Sequence, residues 1–384
     1  SYDPDFGHLF KVLADFDPVI DREAGPERYA GVLARIVRDE ELHHFDRTGV
    51  AALVEHGARL ASSRGTLTAQ FARVADIARE ACFLSQRREN GDLVRSEDVW
   101  AAIRNTRARG SLPARRFRDL VRQGTLRVQV SGEVIGQING LAVLSAGPIT
   151  YGFPARITAS IGAGSAGIIN IEGQAQLSGS IHTKGFHILG GLLRHLLHTD
   201  HPLAFSASLA FEQSYGGIDG DSASCAEICC LLSALTNMPI RQNLAITGSI
   251  DQVGHVQAIG GVNEKIEGFF DICCEQGLTG DQGVVIPKAN AGDLMLKPEL
   301  VESALKGEFH IYAVDTVQEA LEVLTGVPAG ERNQEGPYPP DSLLGKAIEK
   351  AEEYWLLSVQ SPMYLEDDDQ ETEAEGQKAA DSPE

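Results

Sequence analysis

The hydrophobic pattern of this chain changes near Thr125, and that change does most to constrain the fold. Between residues 27 and 105, apolar side chains recur at three- and four-residue spacing, which predicts successive amphipathic helices in a small bundle. From about Thr125 the chain changes to short runs rich in β-branched residues and broken by glycine, such as LRVQVSG and ARITASIG, which predict strands of a curled sheet. Helical runs such as FHILGGLLRHLLHTD lie between these strands. The predicted fold class is α+β, with a helical bundle preceding a mixed domain.

A chain of 384 residues is long enough for two domains, each with its own core. An arginine-rich segment separates them, and its glycine and proline interrupt any single long helix. Solvation of these arginines, or contact with an acidic neighbouring domain, is favoured over nucleic-acid binding. The predicted boundaries are a helical subdomain at 1–110, a basic linker at 111–130, a mixed domain at 131–327, a C-terminal extension at 328–364 and a disordered acidic tail at 365–384.

The charge of the chain argues against nucleic acid as a partner. The formal net charge is −21, and residues 365–384 contribute −8 of it. An acidic body repels phosphate backbones. No apolar run approaches the roughly 18–20 residues that span a bilayer, and the start SYDPDFGHLF lacks the features of a signal peptide. We therefore expect a cytoplasmic protein without a membrane partner, whose six cysteines are small buried residues rather than metal ligands.

The stretch GGIDGDSASCAEICC, from Gly216 to Cys230, combines glycines, aspartates and serines before an apolar helical run. Glycines permit the backbone angles of a tight turn. The serines have two interpretations. In the first, Asp221, Ser222 or Ser224 caps the helix that follows. In the second, the hydroxyl of Ser222 is held at the helix N-terminus, ready to attack a carbonyl group.

A serine nucleophile needs a base, and the residues flanking Ser222 contain no histidine. Lysine serves as a base when burial lowers its pKa from about 10.4 toward about 7–8. Lys265 lies in GGVNEKIEGFF, and Gly268, Phe269 and Phe270 follow within two turns of a predicted helix, where they can exclude water. From spacing alone, a solvated surface lysine remains the alternative interpretation.

These two segments, GDSAS at 220–224 and GGVNEKIEGFF at 260–270, resemble the proteolytic domain of the Lon proteases, specifically the B-type branch. The resemblance runs from about Gly132 to Gly326. It implies a ribosomal protein S5 domain 2-like fold, with Ser222 as the nucleophile and Lys265 as the base. It also implies that Thr247 in AITGS orients the lysine amine and that Asp219 is an acidic residue near the catalytic pair.

A carboxylate within about 4–6 Å of Lys265 would favour the charged, inactive amine. We therefore expect Asp219 and Asp221 to turn away from the lysine and to serve the turn and the helix dipole instead. A direct contact between Asp219 and Lys265 would indicate a resting state.

The helical first part resembles the lid of the AAA+ module in Lon B-type proteins, and DPDFGHLFKVLADFD resembles the end of the large AAA+ subdomain. The chain has no GxxxxGK[ST] motif, which forms the phosphate-binding loop for ATP. We expect the chain to be part of a longer protein, cut between the ATPase core and its lid. No cofactor is then expected in this chain, and ATP and Mg²⁺ belong to the full-length family member.

The resemblance implies a serine endopeptidase that cleaves peptides and unfolded proteins and assembles as a homo-hexamer. The alternative function is a non-proteolytic regulatory or scaffold module that keeps the fold. A further candidate is a metal site at His195, His198, Asp200 and His201. These residues lack the HExxH pattern, so an exposed helix edge or a subunit contact is favoured and no metal is expected.

Overall fold

The structure, a computed structural model, describes residues 5–12, 14–88, 92–146, 149–332 and 337–360. These residues form two compact units. The first contains the described residues up to Asp119, together with those of Ser145–Thr150 and Ala291–Lys297. The second contains Leu120–Leu144, Tyr151–Asn290 and the described residues from Pro298 onward. The acidic tail predicted at 365–384 lies outside the described residues.

The first unit is mainly helical and has short strand pairs at its edges. Its helices are α1 (Phe6–Leu9), α2 (Gly25–Asp39), α3 (Arg47–Ala61), α4 (Phe71–Gln86) and α5 (Ser96–Gly110). Its strands are β1 (Val19–Asp21), β2 (His44–Phe45), β3 (Thr66–Thr68) and β4 (Leu93–Val94). β1 pairs antiparallel with β3, and β2 pairs parallel with β4.

Two local features explain the packing of this helical unit. Asp46 begins α3 because its carboxylate accepts the N–H of Gly49 at 2.8 Å, which satisfies a free donor of the first turn. Tyr29 of α2 packs against Gly57 of α3, where any larger side chain would collide with the tyrosine ring. The Tyr29 hydroxyl donates to the carbonyl of Thr68 at 2.6 Å. The apolar periodicity therefore predicted the helical core correctly.

The apolar spacing of LTAQFARVADIAREACFL predicts a helix over this whole segment. The prediction is wrong at its start, because Thr66–Thr68 form β3 and α4 begins at Phe71. β-branched Thr66 and Thr68 favour the extended backbone that pairs with β1. The segment predicted as a basic linker contains a helix, α6 (Leu112–Arg122), separated from α5 by Ser111.

From Glu133 onward the chain alternates strands and helices. The strands are β5 (Glu133–Val134), β6 (Gln137–Ala146), β7 (Ile149–Ala163), β8 (Gly167–Asn170), β9 (Phe205–Phe211), β10 (Ile240–Arg241), β11 (Leu244–Ile246), β12 (Ser249–Ile250), β13 (Val256–Gln257), β14 (Gln282–Pro287) and β15 (Phe309–Val314). The helices are α7 (Ile171–Gln174), α8 (Ser180–Leu197), α9 (Ser224–Thr236), α10 (Val262–Gln276), a 3₁₀ helix (Lys288–Asp293), α11 (Pro298–Leu305), α12 (Val317–Thr325) and α13 (Leu343–Gln360).

A seven-stranded mixed sheet organises the second unit, in the order β15-β14-β11-β6-β7-β9-β8. β6, β11, β14 and β15 run parallel to one another, with Ala245 opposite both Asn139 and Val284. β7 and β9 are antiparallel, with Ala159 opposite Leu209. The segment DQVGHVQAIGG predicts a hairpin, and β12 and β13 form it outside this sheet. Parallel strands joined by helices, together with antiparallel neighbours, make this unit mixed, as predicted.

The helix α9 lies at the centre of the second unit, and every residue from Ser224 to Thr236 is buried. Helices α8, α12 and α13 pack around it. The predicted strand LRVQVSG, by contrast, is not regular. Glutamine side chains bind its backbone in place of a neighbouring strand: the Arg127 N–H donates to Gln213, and the Val130 carbonyl accepts from Gln282.

Five cysteines are buried as predicted, whereas Cys274 is exposed, which corrects the prediction that all six are buried. Cys274 follows the buried Cys273 on α10, and adjacent positions of a helix point in different directions. None of the described helices is long and apolar enough to cross a membrane.

Candidate active site

Ser222 lies between β9 and α9, two residues before the helix begins at Ser224. Gly217 and Gly220 in this loop have φ angles of 78° and 96°, a region that favours glycine, so the turn predicted from the glycines is present. The N-cap residue of α9 is Ala223, whose side chain accepts no hydrogen bond. The first interpretation of the serines, as helix caps, therefore does not hold for Ser222.

The backbone of Ser222 is fixed by the segment that follows β11. The Ser222 carbonyl accepts the N–H of Gly248 at 2.8 Å and the hydroxyl of Thr247 at 3.1 Å. The Cys225 N–H donates in return to the Gly248 carbonyl at 3.1 Å. These bonds leave the Ser222 side chain as the part of the residue that is available for chemistry.

The second serine of the motif has a structural role. The Ser224 hydroxyl donates to the carbonyl of Asp221 at 2.8 Å and accepts the N–H of Ile250 at 3.1 Å. Ser224 thereby joins the start of α9 to β12 and is 2 % exposed.

Lys265 reaches Ser222 from α10. Its Nζ lies 2.8 Å from Ser222 Oγ and 3.0 Å from Thr247 Oγ1. Lys265 is 2 % exposed and Thr247 is 1 % exposed, so water has little access to the amine. The structure thus brings together three of the four residues predicted from the sequence, although 25 and 43 positions separate Ser222 from Thr247 and Lys265.

Two glycines allow α10 to lie this close to the sheet. A methyl group on Cα of Gly152, in β7, would lie 2.5 Å from Cα of Lys265 and even closer to the carbonyl of Glu264. A methyl group on Gly268 would overlap the carbonyl of Gly152. Sequence reasoning missed Gly152, although a glycine inside a strand signals a close backbone approach.

Burial lowers the pKa of Lys265 from 10.5 to about 8, because removal from water penalises the ammonium form. The carboxylate of Asp221 acts in the opposite direction and raises this pKa. The expectation that the Asp221 side chain turns away from the lysine stays a prediction, although its charge reaches the amine. Asp221 is therefore part of the electrostatic environment of Lys265.

Asp219 faces a different helix. Its Oδ1 accepts the N–H groups of Ile181 at 3.0 Å, His182 at 3.2 Å and Gly220 at 2.9 Å, which satisfies free donors at the N-terminus of α8. These hydrogen bonds lower its pKa, led by the one from Gly220. Asp219 thus serves the turn and a helix dipole, as expected, and the helix is α8 rather than the one that follows Ser222.

The arrangement suits proton transfer. A neutral lysine amine has two N–H donors and one lone pair. The Thr247 hydroxyl donates to the Ser222 carbonyl, so its oxygen accepts an N–H from Lys265. The lone pair of the neutral amine is then free to accept the proton of the Ser222 hydroxyl.

The histidines considered as a metal site are dispersed. His195 lies in the last turn of α8, His198 ends that helix, and the His201 ring stacks on Trp355 at a centroid distance of 4.8 Å. Within the part of the chain that the structure describes, no group of three or more His, Cys, Asp or Glu side chains is arranged to hold a metal ion.

Comparison with protein families identifies both parts of the chain. Residues 44–109 match the family model of the archaeal LonB AAA+ ATPase LID domain. Residues 216–326 match the family model of the Lon protease (S16) C-terminal proteolytic domain. The second match contains Ser222, Thr247 and Lys265, and the resemblance inferred from the sequence is confirmed.

Similar curated proteins are named as Lon proteases or Lon protease homologs. A putative Lon protease homolog of Escherichia coli is 45 % identical over 237 residues, which are 61 % of this chain and 40 % of that protein. A putative Lon protease homolog of Haemophilus influenzae is 41 % identical, with 64 % and 42 % covered. The archaeal Lon protease of Thermococcus kodakarensis is 29 % identical, with 76 % and 43 % covered. The chain therefore spans less than half the length of these three relatives.

Proposed function

We propose that this chain is a serine endopeptidase that cleaves peptides and unfolded proteins with a Ser222–Lys265 pair. Its matches to the LonB LID domain and to the Lon proteolytic domain support this proposal. One observation carries this proposal: a buried lysine amine lies 2.8 Å from a serine hydroxyl at the start of a helix. A lysine kept for surface solubility would be exposed, whereas this one is 2 % exposed.

The reaction begins with the neutral Lys265 amine. It takes the proton of Ser222 while Oγ forms a bond to the carbonyl carbon of the scissile peptide. The lysine then gives this proton to the leaving amine as the C–N bond breaks, which leaves an acyl group on Ser222. Water attacks the acyl carbon and loses a proton to Lys265. The C–Oγ bond then breaks, Lys265 returns this proton to Ser222 Oγ, and the acid is released.

The start of α9 supplies the stabilisation of the oxyanion. A helix N-terminus offers N–H donors and the positive end of its dipole. The N–H groups of Ser224 and Cys225 already donate to the carbonyls of Asp221 and Gly248. We therefore assign the oxyanion to the N–H groups of Ser222 and Ala223.

The edge of β6 offers a place for the substrate backbone. β6 continues beyond its last pair with β11, which joins Gly140 and Ile246, and its residues Val143 and Leu144 are 40 % and 50 % exposed. Val143 lies beside the start of α10, since a methyl group on Gly261 would be 3.0 Å from its Cγ1. An extended peptide added to this edge binds through its backbone, which suits an enzyme for unfolded chains of varied sequence.

No cofactor takes part in the proposed peptide cleavage. The residues present do not fit ATP, because the chain has no GxxxxGK[ST] motif to bind its phosphates. Within the described residues, no cluster of carboxylates or histidines suits a divalent cation. We propose that ATP, with Mg²⁺, acts on a Lon ATPase core outside these 384 residues and drives the unfolding of protein substrates.

The family resemblance extends the proposal to assembly and location. We propose a homo-hexamer in the cytoplasm that encloses its active sites, and a ribosomal protein S5 domain 2-like fold for the second unit. The alternative, a regulatory or scaffold module without proteolysis, would not need a buried amine beside a serine hydroxyl. Retaining that amine without a catalytic use costs stability, because a lysine is removed from water.

A cleavage assay separates the two functions. Casein and a fluorogenic peptide are incubated with the wild-type chain and with Ser222→Ala, and Ser208→Ala on β9 serves as a matched serine control. The protease cleaves both substrates, Ser208→Ala keeps this activity and Ser222→Ala loses it by a factor of at least 10³. Equal cleavage by wild type and Ser222→Ala would reject the mechanism, and an inactive wild type that still binds casein would favour the scaffold.

A further inference from the structure

A second polar cluster lies beside residues 212–223, the loop that carries Ser222 and is called the serine loop below. It takes no part in the proposed proton transfer. It consists of Glu172 on α7, His182 on α8 and Glu227 on α9, which are 5 %, 1 % and 1 % exposed. Buried ionisable side chains are costly, so a cluster of three calls for a physical explanation. Sequence reasoning missed it, although a glutamate inside the apolar run AEICCLL was the available signal.

His182 lies directly under the loop that carries Ser222. The backbone N–H of His182 donates to Asp219, and a hydrogen bond between its ring and the backbone of Gly220 raises the pKa of the ring. Gly220 can offer the ring either its N–H or its carbonyl. The N–H already donates to Asp219, and a hydrogen bond raises the pKa of an imidazole only when the ring donates to an acceptor, so the partner is the Gly220 carbonyl. The ring Nε2 points elsewhere, at 3.6 Å from Glu227 Oε1, which leaves Nδ1 as the donor to Gly220.

Glu227 approaches the same ring from the active-site helix. Among the described residues, His182 Nε2 and Glu227 Oε2 are buried polar atoms without a hydrogen-bond partner. Burial, and secondarily the charge of Glu172, raise the pKa of Glu227 to about 8, whereas burial lowers the pKa of His182. At neutral pH a carboxylic acid therefore faces a neutral imidazole across 3.6 Å, which is longer than a hydrogen bond. The acid proton reaches the free lone pair of Nε2 once the two groups move closer by a few tenths of an ångström.

The remaining contacts of the cluster hold it in place. Glu172 Oε1 accepts the N–H of Phe211 at 2.7 Å, at the end of β9 where the loop begins. The Phe211 ring meets the His182 ring edge-on, with centroids 5.5 Å apart. A methyl group on Gly185, one turn further along α8, would lie 3.2 Å from Cβ of Asp221. The first turns of α8 thus form the floor of the loop that ends at Ser222.

We propose that His182 is a positioning residue for Ser222, holding the Gly220 carbonyl through Nδ1–H while Glu227 donates its proton to Nε2. The peptide unit between Gly220 and Asp221 is then fixed two residues before the nucleophile. Because Glu227 belongs to α9, one imidazole couples the loop to the helix that directly follows the oxyanion donors of Ser222 and Ala223. This inference rests on the proposed protease function for its catalytic consequence, whereas its hydrogen bonds can be tested without activity.

Paired amide substitutions test which ring nitrogen matters. Asparagine places an N–H₂ group near the position of Nδ1, and glutamine places one near that of Nε2. Both substitutions remove the ring packing against Phe211, so their difference reports the bond to Gly220. We expect His182→Asn to keep kcat within about threefold and His182→Gln to lower kcat by 10- to 100-fold with little change in KM, since a displaced nucleophile affects the chemical step.

The carboxyl group has its own pair of variants. Glu227→Gln retains a donor toward Nε2 and should keep kcat near the wild-type value, whereas Glu227→Met removes the donor and should lower kcat by about threefold, as His182→Asn does when it removes Nε2. His187 is exposed and lies on α8, as His182 does, so it provides the matched histidine control, and His187→Gln should leave kcat unchanged. Glutamine equal to or better than asparagine at position 182, or equal activity of Glu227→Gln and Glu227→Met, would overturn the proposal.

Hydrogen exchange of residues 212–224, followed by mass spectrometry, gives a readout that needs no catalysis. His182→Gln should speed exchange in this loop by at least tenfold and Glu227→Met by a smaller factor, while residues 262–276 of α10 exchange at the wild-type rate. This result supports the positioning role even if the wild-type chain cleaves no peptide, in which case only the protease function fails. Unchanged loop exchange in both variants would refute the positioning role.

Discussion

The backbone of Gly152 lies so close to α10 that a methyl group on its Cα would stand 2.5 Å from Cα of Lys265. We predict that Gly152→Ala pushes α10 away from β7 and withdraws the amine from Ser222. Peptide cleavage should fall at least tenfold, and urea unfolding should report a loss of roughly 1–3 kcal/mol from overpacking. Gly162→Ala, on the same strand with open space at its Cα, is the control and should change neither quantity. Full activity of Gly152→Ala would show that this approach does not position the lysine.

The hydroxyl of Thr247 joins Lys265 Nζ to the Ser222 carbonyl, and we predict that catalysis depends on it. Thr247→Val keeps the shape of the side chain and removes both hydrogen bonds, so kcat should fall by about 10- to 100-fold, the equivalent of roughly 1.5–3 kcal/mol. Thr247→Ser keeps the hydroxyl and should retain kcat within a few fold. Steady-state kinetics with a fluorogenic peptide compare the two, and equal losses would assign Thr247 to packing alone.

The carboxylate of Asp221 raises the pKa of Lys265, and this influence predicts a shift in the pH profile. The base acts when neutral, so cleavage should rise with pH through the lysine pKa of about 8. Asp221→Asn removes the negative charge, the lysine pKa falls further, and the acid limb of kcat/KM should move to lower pH.

Asp200→Asn is the control for this shift, because Asp200 follows the C-terminus of α8, whereas Asp219 of the serine loop contacts its N-terminus. The 18 residues of α8 span about 27 Å. Its profile should coincide with that of the wild type. An acid limb that moves to higher pH in Asp221→Asn, or does not move, would contradict the assignment.

Burial of Lys265 also predicts a pH-dependent cost in stability. Its pKa is about 8 in the folded protein and 10.5 ordinarily, so below pH 8 both states bind the proton and folding carries a penalty of up to roughly 3 kcal/mol. Between these two pKa values the folded state loses the proton first and the penalty fades as pH rises. Lys265→Met should therefore be more stable than wild type at pH 7, with an advantage that narrows toward pH 10 in urea titrations. The exposed Lys306→Met should show no such narrowing.

The sequence identified which residues take part in the site better than it predicted how they contact one another. The apolar spacing of RTGVAALVEHGARLA predicts a helix over residues 47–61, which is α3, and the segment DQVGHVQAIGG predicts the β12–β13 hairpin. The pairing of Ser222 with Lys265 followed from the resemblance of their motifs to the Lon proteolytic domain, because spacing alone left a solvated surface lysine as the alternative. Periodicity and motifs are local properties, which is why these predictions succeeded.

The errors came from long-range contacts. LRVQVSG has a strand-like composition, but Gln213 and Gln282 bind its backbone from distant positions. The charge of Asp221 reaches Lys265 although the two are 44 positions apart, and Asp219 caps a helix that precedes it by 38 residues. Only the folded chain determines which carboxylate changes the pKa of the amine and which carboxylate caps α8.

The central claim is that a buried, neutral Lys265 activates Ser222, and the rate of serine modification tests it most directly. A fluorophosphonate reacts with activated serines, and its adduct can be located by mass spectrometry while the rate is followed from pH 6 to pH 10. The account predicts one adduct on Ser222, forming at a rate that rises with pH to a plateau with a midpoint near 8, and no adduct in Lys265→Met. An adduct on another residue, a rate still climbing at pH 10, or undiminished labelling of Lys265→Met would contradict it.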